Sequence, residues 1–350
     1  MLKDGFANAV TPQLAKGRAI GTQEARPVTV FLNGEYWYTV YLQEKYNTYY
    51  LNDIYGVDME NVSIVKDWEV SDGLIESETE YGELLEWFAE TDFSDDQSYQ
   101  EACEKIDMQS FIDFFSASVY LCNMDMSEGH NHVTWKSNES RSIEYEDGKW
   151  RWLLYDLDFV GGIDLGYYGV GNQAELNAFS TPMQYSTAHA AMDDMTIFAA
   201  LRYNEEFKKQ FVLSFMDMAN TNFSLENVER VLEAYGETLH WHDDFFLLRY
   251  DYAMEHLKEE FSLSGSLEVL SLEINDPSGG VIEVNTCVPD LSSGEWTGGY
   301  YADFPVTVTA VANDGYYFAG WEGDLESAEN CVTLDMIPGG VMLKAVFDKT

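Results

Sequence analysis

The sequence of 350 residues predicts an α+β fold, with a large mixed domain at residues 1–264 and a small all-β domain at residues 265–350. Three observations lead to this prediction. An Asn33-Gly34 turn separates two β-rich runs within residues 27–46, which is typical of a β-hairpin. Apolar residues recur at helical spacing in residues 81–88 and 190–262, and residues 109–122 are apolar nearly all round. Short alternating runs between Gly, Asn and Asp turns then fill residues 266–350.

The composition restricts the class of protein and the partners that it can bind. The hydrophobic fraction is 46% and the aromatic fraction 15%, which is enough to bury a large core. The net charge of -43 opposes binding to nucleic acid or to anionic membranes and favours divalent cations or basic partners. Most of this charge is expected to lie on a solvated acidic surface. No apolar run reaches the about 18 residues of a membrane-spanning helix.

The cysteines and the first residues leave two questions open. No cysteine pair has the spacing of a zinc site. Cys287 and Cys331 lie in the same C-terminal segment, where they could form a disulfide or stay as two free thiols. Residues 1–4 resemble neither a signal peptide nor a transit peptide, so the protein is either cytosolic or the sequence starts inside a longer one.

The segments of the large domain are assigned from their patterns. The second hairpin strand ends at Glu44, residues 109–122 predict a core helix, and residues 133–136 and 149–155 predict two strands. Tryptophans on these strands are interpreted as core and cross-strand packing. They are Trp37, Trp135, Trp150 and Trp152. The strands expected in the C-terminal domain are 267–274, 281–285, 306–312, 316–321, 332–336 and 343–347.

Polar residues that could carry chemistry are concentrated between residues 123 and 158. Asp125 and Asn131 lie on the loop after the core helix, and Asp156 and Asp158 follow the second strand. Phosphoryl transfer from a nucleotide needs an acid that orients the acceptor hydroxyl and oxygen ligands for one or two Mg²⁺ ions. In protein kinases these groups come in the same order along the chain. An Asp-x-Asp pair also occurs in glycosyltransferases, phosphatases and calcium sites, so a metal-dependent hydrolase or glycosyltransferase remains a further alternative.

The histidines of this region are interpreted as loop residues. His130 and His132 flank Asn131, and without an evident third ligand they are expected to form local hydrogen bonds. His240 and His242 lie close to Asp243 and Asp244, where a solvated helix start is preferred over a metal cluster.

The combination of these motifs resembles the CotH family, which is named for a spore coat protein kinase. The matching positions within residues 2–264 are 31–37, 41–45, Asn123, Asp125, Asn131, Trp135, 150–158, 201–207, Phe211 and Arg249. The resemblance implies an atypical kinase-like fold that binds ATP with Mg²⁺, Mn²⁺ or Ca²⁺ and phosphorylates protein Ser or Thr. It implies Asp125 as the catalytic acid and Asn131, Asp156 and Asp158 as metal ligands. Glu44 and Asn123 would lie beside the nucleotide.

The sequence departs from the family pattern at three places. Tyr38 stands where the family has glycine, and the loop between Asp125 and Asn131 is longer than usual. The chain also begins where the family has further strands, so the first part of the small lobe is expected to be missing. For that reason no phosphate-binding lysine is assigned, and Lys45 and Lys66 stay as candidates.

The C-terminal segment resembles a second family. Residues 315–323 and 345–347 are similar to divergent InlB B-repeat modules of surface proteins, which implies export and a signal peptide lost by truncation. The function expected from both resemblances is an extracellular or cell-surface protein kinase with surface or coat proteins as substrates. The alternative is a catalytically inactive scaffold or binding protein at the cell surface or spore coat.

Overall fold

The computed structural model describes residues 6–123, 131–157, 160, 173–180, 194–236 and 243–350. It divides the chain into two units, Met1–Lys208 with Leu225–Ala253 and Lys209–Ser224 with Met254–Thr350. Helices alternate with two small sheets in the first unit, and two further sheets form most of the second. The predicted α+β class is therefore confirmed.

The bounds of the described elements are as follows. The helices are α1 (Phe6–Leu14), α2 (Thr48–Tyr55), α3 (Glu76–Glu90), α4 (Asp96–Lys105), α5 (Met108–Tyr120), α6 (Asp194–Leu201), α7 (Glu205–Asn220), α8 (Leu225–Ala234) and α9 (Asp243–Glu260). The first strands are β1 (Ala25–Leu32), β2 (Glu35–Gln43), β3 (Val62–Lys66), β4 (Glu69–Asp72), β5 (Val133–Ser137) and β6 (Arg151–Leu153). The later strands are β7 (Leu267–Ile274), β8 (Gly280–Val284), β9 (Glu295–Tyr301), β10 (Val306–Ala312), β11 (Tyr316–Gly323), β12 (Cys331–Leu334) and β13 (Val341–Lys349).

The predicted hairpin is present as the antiparallel pair β1–β2. Asn33 (φ 54°) and Gly34 (φ 84°) both adopt the left-handed conformation that a two-residue hairpin turn of this type requires. A bulge interrupts the register at Val30 and Phe31. Trp37 is 53% exposed, so the prediction that it packs in a core is wrong. The bulge lets the strand carry an extra residue, and Trp37 projects from an isolated two-stranded sheet instead of a covered one.

Helices α2, α4 and α5 begin at side-chain caps. Asn47 accepts a hydrogen bond from the N–H of Tyr50 at 2.9 Å, which closes the first turn of α2. Asp95 and Asp107 do the same for α4 and α5. The helical spacing at residues 81–88 is confirmed by α3, whose apolar stripe is buried at Tyr81, Leu84, Leu85 and Phe88.

The core of the first unit lies around a four-stranded antiparallel sheet with the strand order β4-β3-β5-β6. Helix α5 is buried nearly all round, as its apolar sequence predicts. Phe111 of α5 packs against Trp152 of β6, with ring centroids 5.0 Å apart. Trp135 and Trp152 are fully buried and Trp150 is 4% exposed, which confirms their predicted role in packing.

The second unit contains two sheets, with the strand orders β12-β10-β8 and β11-β13-β7-β9. All neighbours are antiparallel except β13 and β7, which pair in parallel. Residues 209–224 belong to this unit, and Asn220 pairs through its side-chain amide with both backbone groups of Gly299. The helical residues are thus part of the core of the β-rich unit.

Two further predictions concern the thiols and membrane insertion. All four cysteines are free; Cys287 is buried and Cys331 is exposed. None of the helices in the described part of the chain is long and apolar enough to cross a bilayer.

Candidate functional site

Two of the predicted site residues, Asn131 and Asp156, and the candidate lysine Lys66 lie at or just beyond the ends of strands that pair in one four-stranded sheet. Lys66, at the end of β3, pairs with Val133, which in turn pairs with Leu153 of β6. Asn131 lies two residues before Val133, and Asp156 lies three residues after Leu153. Because neighbouring strands are about 4.8 Å apart, the chain enters β5 and leaves β6 beside Lys66.

Asn131 is held at this end by the residue that follows it. Asn131 has a left-handed backbone (φ 59°), and His132 then continues the β3–β5 ladder. The N–H of Asp67 donates to the carbonyl of His132 at 3.0 Å, and the N–H of His132 donates to Oδ1 of Asp67 at 3.2 Å. The backbone on the C-terminal side of Asn131 is therefore fixed by the sheet.

His132 itself is a buried residue and not the locally bonded loop histidine that the sequence predicts. Its Nε2 lies 3.2 Å from Oδ2 of Asp194 and 3.0 Å from the hydroxyl of Tyr81. Asp194 also accepts hydrogen bonds from Tyr81 (2.5 Å) and from Nε1 of Trp152 (3.0 Å). The ring of Trp68 stacks on the imidazole, with centroids 5.2 Å apart. Trp68 lies in the turn between β3 and β4, and the other partners lie on α3, β6 and α6. The sequence pattern around residue 132 could not reveal partners from such distant segments. His130, His240 and His242 lie outside the described residues.

Asp156 lies just beyond β6 and has a left-handed backbone with φ 52°. Its Oδ1 accepts a hydrogen bond from Nδ2 of Asn8 at 3.4 Å. The Oδ1 of Asn8 accepts one from the N–H of Leu157 at 3.1 Å. Asn8 is a site residue that the sequence reasoning missed, because nothing in helix α1 marks it as a neighbour of residue 156.

The two lysines that the sequence left open differ in their surroundings. Nζ of Lys66 lies 2.7 Å from the hydroxyl of Tyr155 and 4.1 Å from the centroid of its ring. Tyr155 directly precedes Asp156 in the sequence. Lys66 has no carboxylate within ion-pair distance among the residues that the structure describes, which leaves its charge for an anion. Lys45 is exposed and has no such neighbour among them.

Asn123 lies at the end of α5, on the side of the sheet where β6 ends. The N–H of Asp107 donates to the carbonyl of Trp150 at 2.9 Å, and the N–H of Trp152 donates to Oγ of Ser110 at 3.0 Å. These contacts follow the same order along both elements, so α5 and β6 run in the same direction. The side-chain Oδ1 of Asn123 is buried and has no hydrogen-bond partner within the described ranges. An unsatisfied buried oxygen of this kind suits a bound cation or donor.

Arg249, on helix α9, binds the C-terminal end of helix α5. It is fully buried, and its guanidinium donates to the carbonyls of Val119 (2.7 Å), Tyr120 (2.7 Å), Ala174 (2.9 Å) and Leu176 (2.9 Å). The last carbonyls of the helix, which have no partner within it, are thereby satisfied. Asn123 follows three residues later, and its N–H donates to the carbonyl of Ser118 at 2.8 Å.

Arg249→Lys is expected to lower the free energy of unfolding by about 2 kcal/mol, because one ammonium cannot reach four carbonyls in two directions. Urea denaturation checks this. Arg230 is exposed and its guanidinium donates to the side chain of Asn227. It provides the matched control Arg230→Lys, which should change stability by less than about 0.5 kcal/mol. Equal stability of the two variants would contradict the assigned role.

Glu44 follows β2 and is exposed. Its carboxylate accepts a hydrogen bond from the N–H of Glu24 at 2.9 Å, and its own N–H donates to the carbonyl of Glu24 at 3.0 Å. No lysine pairs with Glu44 in the described part of the chain. The neighbouring Gln43 donates through Nε2 to the carbonyl of Asn8 at 2.8 Å. The base of the hairpin therefore contacts Asn8, the residue that also binds the carboxylate of Asp156.

Asp125 and Asp158 lie outside the described residues. Within the described residues, no group of three or more His, Cys, Asp or Glu side chains is arranged to hold a metal. The oxygen atoms of Asn123, Asn131 and Asp156 are of the type that Mg²⁺ prefers, and Lys66 is of the type that contacts phosphate. The donor set of this end of the sheet therefore fits a metal–nucleotide complex in its chemistry.

Two families match the chain. The family described as CotH kinase protein matches residues 3–275, and the divergent InlB B-repeat domain matches residues 272–350. A comparison with curated proteins gave no match. The first match covers more than half of the sequence and includes every residue of the site described above. The chain therefore belongs to the CotH family, as a kinase-like protein that ends in a divergent InlB B-repeat domain.

Proposed function

We propose that this CotH-family chain is a protein kinase that transfers the γ-phosphoryl group of ATP to Ser or Thr hydroxyls of protein substrates. The main support is the register Lys66–Val133–Leu153, because Asn131 comes two residues before Val133 and Asp156 three residues after Leu153. Phosphoryl transfer requires a cation for the phosphates, oxygen ligands for a divalent metal and an acid at the acceptor hydroxyl. Lys66 is a residue of the first type and Asn131 and Asp156 are of the second, while the acid, Asp125, lies outside the described residues.

The proposal gives each residue a role. Asp125 orients the acceptor hydroxyl and takes its proton as the new O–P bond forms and the bond to ADP breaks. Asn131, Asp156 and Asp158 hold the metal, and Lys66 contacts a phosphate. Bound Mg²⁺, Mn²⁺ or Ca²⁺ would neutralise the charge that develops on the phosphates. Asn123 and Glu44 would contact the nucleotide.

Asp156→Asn is expected to lower Mg²⁺-dependent labelling from [γ-³²P]ATP by at least about 100-fold, because it removes a negatively charged oxygen ligand. Labelling is measured on the chain itself and on dephosphorylated casein, with EDTA as the metal-free reference. Asp53 is exposed on α2 and provides the matched variant Asp53→Asn, which should label like wild type. Undiminished labelling by Asp156→Asn would refute the assignment.

The competing function is a catalytically inactive scaffold, and nucleotide binding separates it from a kinase. A ligand at 100 times its dissociation constant stabilises the folded state by about 2.7 kcal/mol, which raises the melting temperature measurably. Wild type that neither labels protein nor shifts its melting temperature with ATP and Mg²⁺ would support the scaffold. Turnover of a sugar nucleotide or phosphoester without protein labelling would support the hydrolase or glycosyltransferase alternative.

The match to a divergent InlB B-repeat domain supports a proposal about where the protein acts relative to the cell surface. We propose that it acts outside the cytoplasm or on the cell surface, with surface or coat proteins as its substrates. Protease added to intact cells should then digest the protein while a cytoplasmic marker stays whole. Protection of the protein until the cells are lysed would argue against this location.

A further inference from the structure

Asn8 joins two parts of the chain that are distant in sequence. Its Nδ2 donates to Oδ1 of Asp156 at 3.4 Å, and its Oδ1 accepts from the N–H of Leu157 at 3.1 Å. Its backbone carbonyl accepts a hydrogen bond from Nε2 of Gln43, the last residue of β2, at 2.8 Å. One residue of helix α1 thus contacts the carboxylate at the site, the next backbone amide and the base of the hairpin.

The backbone at Asp156 explains why the carboxylate needs this support. Strand β6 ends at Leu153, so the sheet no longer holds the chain at residue 156. The left-handed conformation at Asp156 is unfavourable for a residue with a Cβ atom and requires compensation from its surroundings. Asn8 provides it, because its two side-chain bonds fix the orientation of the peptide that follows and of the carboxylate itself.

We infer that Asn8 is a positioning residue that sets the affinity of the Asp156 carboxylate for a divalent cation. The inference rests on the proposed function, in which Asp156 is a metal ligand. With Oδ1 engaged by Asn8, the carboxylate presents its remaining lone pairs in one orientation. Residues that orient a ligating carboxylate in this way typically change metal affinity by about 10–100-fold when they are replaced.

Gln13 provides a control on the same helix. It is buried, and its Nε2 donates to the carbonyls of Gln23 (2.7 Å) and Ala9 (3.2 Å). Gln13→Ala therefore removes a comparable anchor of α1 without touching Asp156. A general loosening of the helix would affect both variants, whereas loss of carboxylate positioning affects only Asn8.

The test measures Mn²⁺ binding by electron paramagnetic resonance in the presence of ADP, together with the Mg²⁺ dependence of protein labelling. Asn8→Ala and the similarly sized Asn8→Leu should each weaken Mn²⁺ binding by at least about 10-fold. They should raise the Mg²⁺ concentration for half-maximal labelling by a similar factor, while the rate at saturating Mg²⁺ stays within about threefold of wild type. Gln13→Ala should bind Mn²⁺ like wild type even if its melting temperature falls.

The outcomes separate this inference from the proposed function. If wild type binds Mn²⁺ with ADP and both Asn8 variants bind it equally well, the role of Asn8 is overturned and the proposed function stands. Equal weakening in Gln13→Ala would also overturn it, since the effect would then come from the helix as a whole. If wild type binds no Mn²⁺ with ADP, the proposed function fails, and the role of Asn8 fails with it.

Discussion

Asp217→Asn is expected to lower the stability of the second unit by about 3 kcal/mol. Asp217 is fully buried, and four donors surround its carboxylate. Oδ1 accepts from Nδ2 of Asn285 (3.0 Å) and the hydroxyl of Tyr300 (2.8 Å). Oδ2 accepts from the N–H (2.9 Å) and the hydroxyl (2.8 Å) of Thr286. Each carboxylate oxygen therefore faces one N–H that cannot act as an acceptor.

The substituted amide cannot satisfy this arrangement in either orientation. Its NH₂ group would point at the amide of Asn285 or at the backbone N–H of Thr286, and both are donors. A buried donor left unsatisfied costs about 1–3 kcal/mol, and the hydrogen bonds to a charged acceptor are lost in addition. Burial and the Asp217 carboxylate raise the pKa of Tyr300 well above its usual value, so the phenol remains a donor at every physiological pH.

Hydrogen exchange measured by mass spectrometry is the suitable probe, because it reports on the second unit separately. Peptides that cover β9 and β10 should exchange about 100-fold faster in Asp217→Asn, which corresponds to the expected loss in free energy. Asp314 is exposed in the same unit, and Asp314→Asn should exchange like wild type. Exchange that differs by less than about threefold between the two variants would show that Asp217 is not needed for this core.

The elements that the sequence predicts well are those whose signal is local. Three examples are the Asn33-Gly34 turn, the apolar residues of α5 and the apolar stripe of α3. In each of them the pattern and the structure that it predicts lie within the same short segment. The strands β7 and β10 have the predicted bounds for the same reason. The other predicted strands of the second unit differ at one or both ends, where pairing with a neighbour decides the length.

Strand β9 was not predicted, because glycines at 298 and 299 interrupt its pattern. The structure gives a reason for Gly298. A Cβ atom at this position would lie 2.4 Å from the indole of Trp296 and 3.1 Å from the side chain of Asn220. The glycine is thus required by close packing within the second unit. Sequence alone cannot distinguish such a glycine from one that ends a strand.

The site was predictable in its residue types but not in its contacts. The order of Asn123, Asn131 and Asp156 along the chain was visible, whereas the sheet register that relates the last two depends on the pairing of β5 with its neighbours. Asn8 and Asp156 are 148 residues apart, and the contact between them leaves no local trace in the sequence. The contact of Lys66 with the hydroxyl of Tyr155 likewise cannot be read from the sequence.

Asp194→Asn is expected to lower the free energy of unfolding of the first unit by about 3 kcal/mol at pH 7. Burial alone would raise the pKa of Asp194, but the charge of His132 and the hydrogen bonds from His132, Tyr81 and Trp152 outweigh it. The net effect lowers the pKa below its usual value. The fold therefore favours the ionised carboxylate, and replacing it leaves buried partners without their charged acceptor.

The direction of the pKa shift fixes how this loss depends on pH. A carboxyl group whose pKa is lower in the folded state contributes its stabilisation above the unfolded pKa of about 3.9. The contribution disappears as the pH falls through the folded pKa. The difference between wild type and Asp194→Asn should therefore shrink as the pH falls below about 4. Urea denaturation at several pH values measures it, with Asp92→Asn on an exposed turn as the control. A difference that grows in acid would contradict the ionised state of Asp194 and the role of His132 as its partner.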